Sequence, residues 1–121
     1  MDLKFVHEDE IEGRELPGRL SKVLIGPETV GSKDLSFGIT VMQPRTKQSP
    51  PHSHEDEDEV IYIISGEGEI TSGDEKADIY PGQAIYVPAG VIHNIENKSD
   101  VEMKLACCFN PPLDLDTVPD K

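Results

Sequence analysis

Apolar residues in this chain alternate with polar ones over short stretches and never hold a helical period for long. Runs rich in Val, Ile, Leu, Tyr and Phe occupy 23–25, 35–42, 60–64, 67–71, 77–80, 84–87, 91–96 and 101–109. Ten glycines and ten prolines punctuate the chain between them. Short β-rich runs at that spacing predict an all-β barrel or sandwich. Ser72-Gly73-Asp74-Glu75 reads as a hairpin turn, its Gly supplying a positive φ without steric cost. Tyr80-Pro81-Gly82, Pro88-Ala89-Gly90 and Lys98-Ser99-Asp100 close further turns. The ends differ from the middle. Residues 1–34 are expected as an N-terminal arm and edge strands packed on the barrel, 35–110 as its core, and 111–121 as a C-terminal tail that lies over the surface or frays.

Composition narrows the partners. The chain has 121 residues, with 11 Lys and Arg against 24 Asp and Glu, a net charge of −13. The length suits one domain. The charge repels nucleic acid and anionic membrane surfaces alike. No apolar run approaches the ~20 residues of a membrane span, and the first stretch is too acidic for a signal peptide. A cytoplasmic location is therefore expected. Cys107 and Cys108 are adjacent, cannot close a loop that staples a fold, and are expected as reduced thiols on a terminal strand.

The candidate chemistry lies in two clusters. His52 and His54 are two residues apart, so on an extended chain both imidazoles aim at one point. Imidazole suits divalent transition metals, and a carboxylate completes a mixed nitrogen and oxygen set. Glu59 shares a strand face with Ile61 and Ile63. An unpaired carboxylate is expensive inside such a wall, and a metal-bound one is not. His93 follows Pro88-Ala89-Gly90 on another strand and supplies a fourth candidate. Residues 55–58 read as a solvated acidic loop, and His7 as a surface residue of the arm.

Together these residues resemble a known pattern. His52-x-His54, four residues, Glu59, six residues and Gly66 resemble the first conserved motif of the cupin superfamily. Gly82, five residues, Pro88-x-Gly90, two residues, His93, three residues and Asn97 match the second. One departure exists: the first motif usually opens with Gly where this chain has Thr46, which alters the local loop and not the ligands. The resemblance implies a double-stranded β-helix (jelly-roll) cupin barrel around one divalent transition metal per chain (Mn, Fe, Ni, Zn or Cu). The implied ligands are His52, His54, Glu59 and His93, with Glu59 also a possible base. Gly66, Gly82, Gly90 and Pro88 correspond to turn positions, and Asn97 to a structural one. Asp58 competes with Glu59 for the acidic position. The spacing to Gly66 and the face shared with Ile61 and Ile63 select Glu59.

Fold and ligand set are shared by many activities, so function rests on the pocket. The leading expectation is a metal-dependent enzyme acting on a small organic molecule, with dioxygenase-type oxidation favoured slightly over lyase or isomerase chemistry. The alternative is a non-catalytic cupin that binds a small ligand. Arg45, Lys47 and Tyr86 are the candidate substrate contacts. The apolar residues Val60, Tyr62 and Ile64 on the far face of the Glu59 strand, together with the habit of small cupins, predict a homodimer.

Overall fold

The computed structural model describes residues 2–118, so Met1 and residues 119–121, the end of the expected tail, lie outside the described residues. Nine strands follow one another: β1 (Arg14–Leu16), β2 (Arg19–Ile25), β3 (Ser36–Met42), β4 (Asp58–Ser65), β5 (Gly68–Ser72), β6 (Glu75–Ile79), β7 (Ala84–Val87), β8 (Asn94–Asn97) and β9 (Met103–Asn110). They form two antiparallel sheets, one ordered β1-β2-β3-β9-β4-β7 and the other β6-β5-β8. The segment before β4 extends the smaller sheet. Its backbone bridges Lys47 to Glu96 and His52 to His93, and Gln48 N–H donates to the Ile95 carbonyl at 2.9 Å.

Period-two alternation sets the faces. On β4, Glu59, Ile61 and Ile63 are buried while Asp58, Val60, Tyr62 and Ile64 are exposed. On β9, Met103, Leu105, Cys107 and Phe109 turn the same way, with Ile61 opposite Cys107 and Ile63 opposite Leu105. These side chains meet Ile79 and Ile95 of the smaller sheet in one core. Each such aliphatic side chain stabilises the fold by roughly 1.5–3 kcal/mol. Gly66 turns the chain out of β4 at φ +84°, and a Cβ there would meet Met103 at 2.8 Å. Asn97 closes the other end of the site strands. Its Nδ2 donates to the carbonyls of Met42, Gln43 and Val101, and its Oδ1 accepts from Ser99.

Two strands start elsewhere than the pattern predicts. Strand β2 begins at Arg19, not at 23, because Arg19, Ser21 and Lys22 interrupt its apolar pattern. Strand β8 begins at Asn94, because Val91 is tied into a turn by its N–H bond to the Pro88 carbonyl (3.1 Å). Of the two alternatives for the C-terminal segment, its described part lies against the strands. Leu113 N–H donates to Ser36 Oγ at 3.0 Å, Asp116 pairs with Arg14 at 2.6 Å, and Val118 is buried.

Candidate metal centre

The two histidine-bearing segments meet through an isolated antiparallel bridge between His52 and His93, just before β8. His52 and His93 exchange both backbone hydrogen bonds (3.0 and 2.8 Å), and the His54 carbonyl accepts from Gly90 N–H at 2.8 Å. The two segments therefore run side by side: His52 and His54, two residues apart, turn into the interior, and His93 joins them from its place opposite His52. Ligand atoms of His52, His54 and His93 all lie within 4.8 Å of one another, and all three residues are buried. Glu59 approaches from the opposite sheet and is 5% exposed. Its Oε1 lies 3.2 Å from His93 Nε2 and 3.7 Å from His54 Nε2.

The tautomers follow from the backbone. His52 Nδ1 faces the Pro50 carbonyl at 3.3 Å and His93 Nδ1 faces the Val91 carbonyl at 3.0 Å. A carbonyl only accepts, so both Nδ1 atoms carry the proton and both Nε2 lone pairs are left free toward the cluster. Burial, reinforced by the charges of His93, Arg19 and His54, lowers the His52 pKa to about 3. His54 is also lowered by burial, against the pull of Glu59. Burial alone would lower His93 too, but the adjacent Glu59 carboxylate and the Val91 carbonyl outweigh it and raise the value. Neutral imidazole is the form that binds metal.

Glu59 Oε1 is buried without a hydrogen-bond partner. An orphaned carboxylate oxygen beside three buried imidazoles, two of them with Nε2 lone pairs left free, fits a divalent cation, whose charge would offset that burial. Asp58 stays outside, where its Oδ1 accepts from Ala89 N–H at 2.9 Å. Around the cluster lies a cavity of about 60 Å³, whose lining includes Ile61, Leu105, Phe109 and, from the C-terminal segment, Leu113 and Val118. Cys107 also lines it, its thiol pushed well up by burial and by the Glu59 charge.

The family follows from the segment that carries this geometry. A model of the cupin domain matches residues 38–109. The chain belongs to the cupin family. An uncharacterized protein of Methanocaldococcus jannaschii is 39% identical to this cupin over 61 residues, half of this chain and 49% of that protein. L-ectoine synthase of Aliivibrio fischeri is 38% identical over 80 residues, 64% of this chain and 60% of the synthase. The matches thus span about half to three-fifths of those relatives. A predicted oxalate decarboxylase of Thermotoga maritima superimposes with a TM-score of 0.76 at 22% identity, covering 89% of this cupin and 99% of that chain, a likeness of fold.

The three expected substrate contacts lie elsewhere. Arg45 occupies a surface turn at φ +60°, with its guanidinium 2.9 Å from Asp100 Oδ1. Lys47 is exposed. The reason is parity: the strand face that carries His52 and His54 inward also carries Gln48, and it turns Lys47 outward. Tyr86 is 62% exposed and shares with His93 a separate groove beside β7, not the main cavity. Two buried polar residues of the cavity, Arg19 and Gln48, were missed by the sequence reading. The parity of His52 points to Gln48, whereas Arg19 carries no local signal, since an arginine after the Pro17-Gly18 turn reads as surface. Among the described residues, no helix is long and apolar enough to cross a membrane.

Proposed function

We propose that this cupin is a metal-dependent enzyme acting on a small organic molecule, with dioxygenase-type oxidation favoured slightly over lyase or isomerase chemistry. The observation that carries the reading is the meeting of His52, His54, His93 and the partnerless Glu59 oxygen in one interior cavity. These four residues would hold one ion, of the set Mn, Fe, Ni, Zn or Cu. When bound there, such an ion supplies a Lewis-acidic centre with open positions. The chain's own residues do the rest. The apolar wall excludes bulk water, the Glu59 carboxylate would take a substrate proton as base when it is released from holding the ion, and the backbone carbonyls of Pro50 and Val91 hold the imidazoles in orientation. Named relatives support the small-molecule class, since one is an ectoine synthase and a fold neighbour is a predicted oxalate decarboxylase.

An oxygen-uptake screen of metal-loaded protein over small carboxylates, diketones and phenols tests the reading. Oxygen consumption with one class, lost in Glu59→Gln, is the expected result. Product formed without oxygen consumption replaces oxidation by lyase or isomerase chemistry, and binding without turnover makes the protein a ligand-binding cupin. We also propose a cytoplasmic homodimer. The two free cysteines, Cys107 and Cys108, support a reducing compartment. The exposed Val60, Tyr62 and Ile64 on the outer face of β4 support a partner copy.

A further inference from the structure

We propose that Arg19 and Gln48 form an anion subsite beside the histidine cluster, taking the carboxylate of a small substrate that also carries a hydroxyl or amino group. This deepens the enzymatic reading above by naming the substrate class of the same cavity.

Arg19 is 6% exposed, and a buried cation needs compensation. Its recorded contacts run through one nitrogen: Nη1 donates to the carbonyls of Pro17 (2.9 Å) and Ser49 (3.4 Å). Neither carbonyl carries a charge. Among the described residues no carboxylate lies within 4.0 Å of the guanidinium, whereas Arg14 and Arg45 each have one. The Nε and Nη2 edge therefore keeps its donors for a ligand. That planar fork matches a carboxylate in two parallel hydrogen bonds. Gln48, also 6% exposed, makes no side-chain hydrogen bond among the described residues, and its Oε1 is buried without a partner there. A hydroxyl or amino N–H satisfies that oxygen. An apolar ligand leaves it orphaned.

Both residues line the cavity that holds His52, His54, His93 and Glu59. Their neighbourhood is built in. Gly18, at φ +82°, has no Cβ to strike the Lys47 carbonyl, so the β1–β2 turn seats against residues 47–48 and brings Arg19 beside them. The volume sets the size. About 60 Å³ holds roughly four to six waters, hence an anion of about five or six heavy atoms. Arg19 also counters the repulsion that a chain of charge −13 presents to any anion.

The test is calorimetric titration of metal-free and zinc-loaded protein with glycolate, acetate and glycolamide. Wild type is expected to bind glycolate in both forms, more tightly than acetate and far more tightly than uncharged glycolamide. Arg19→Met is expected to weaken glycolate by roughly tenfold or more, as loss of a charge-assisted pair requires. Gln48→Leu is expected to erase the preference for glycolate over acetate. Arg19→Gln keeps an N–H for the Pro17 carbonyl and serves if Arg19→Met fails to fold. Glycolamide binding as well as glycolate, wild type binding neither, or a folded Arg19 variant binding glycolate like wild type would overturn the subsite. Zinc content is measured on the same samples. Because glycolate is read without metal, failure of the metal centre and failure of the subsite give different results.

Discussion

Glu59 and the imidazole it faces set the energetics of the site at the level of single side chains. A buried carboxylate oxygen without a partner is costly, and a cation on its open side reverses that cost. Glu59→Gln is accordingly expected to weaken divalent metal binding by roughly tenfold or more in competitive chelator titrations. Unchanged affinity would leave the histidines as the whole ligand set. His52 gives a pH dependence. Its folded pKa of about 3 lies below the unfolded value near 6.5, so the unfolded chain binds the proton first as pH falls. That stability is complete above about pH 6.5 and is lost as pH falls toward 3. The lowered His54 acts in the same direction and the raised His93 opposes it. Thermal melts of metal-free protein are expected to fall from about pH 7 to 5, above the main carboxylate range, with a shallower slope in His52→Gln. Equal slopes would contradict the assignment. Glu59 was legible in sequence because alternation with Ile61 and Ile63 fixes its face. Arg19 was not, since a lone arginine after a turn looks like solvated surface until β1 and β2 fold it inward.

Strand pairing carries the histidines into register, and Asn97 holds the end of that arrangement. Its amide satisfies three carbonyls and accepts from Ser99 while fully buried. Asn97→Ala leaves those groups unpaired and is expected to lower stability by about 2–4 kcal/mol in urea unfolding. A loss under about 0.5 kcal/mol, typical of a surface position, would show that water replaces the amide. The strands from 35 to 87 were readable from alternation and turn glycines, because local chemistry determines them. The start of β2, the turn at Val91 and the docking of Leu113 and Val118 were not, because each depends on contacts distant in sequence. The parity that carries Gln48 inward and Lys47 outward is legible in the sequence, since residues 48, 52 and 54 share one face of the segment beside β8.

For the molecule as a whole, two sheets enclose a small polar site inside an acidic surface. The outer face of β4 and β7 leaves Val60, Tyr62, Ile64 and Tyr86 exposed, with Val60 opposite Tyr86, an apolar face that supports the proposed partner copy. Sedimentation is expected to show a dimer that Tyr62→Glu converts to monomer; a wild-type monomer would contradict the proposed pairing. The cupin fold accommodates many reactions, so the account depends less on the barrel than on what the interior holds. Elemental analysis of the purified chain beside His52→Ala and His93→Ala addresses this most directly. One divalent transition ion per wild-type chain and background metal in both variants are expected, with the β-sheet circular dichroism retained. Full metal occupancy in a folded His93→Ala protein would contradict that expectation.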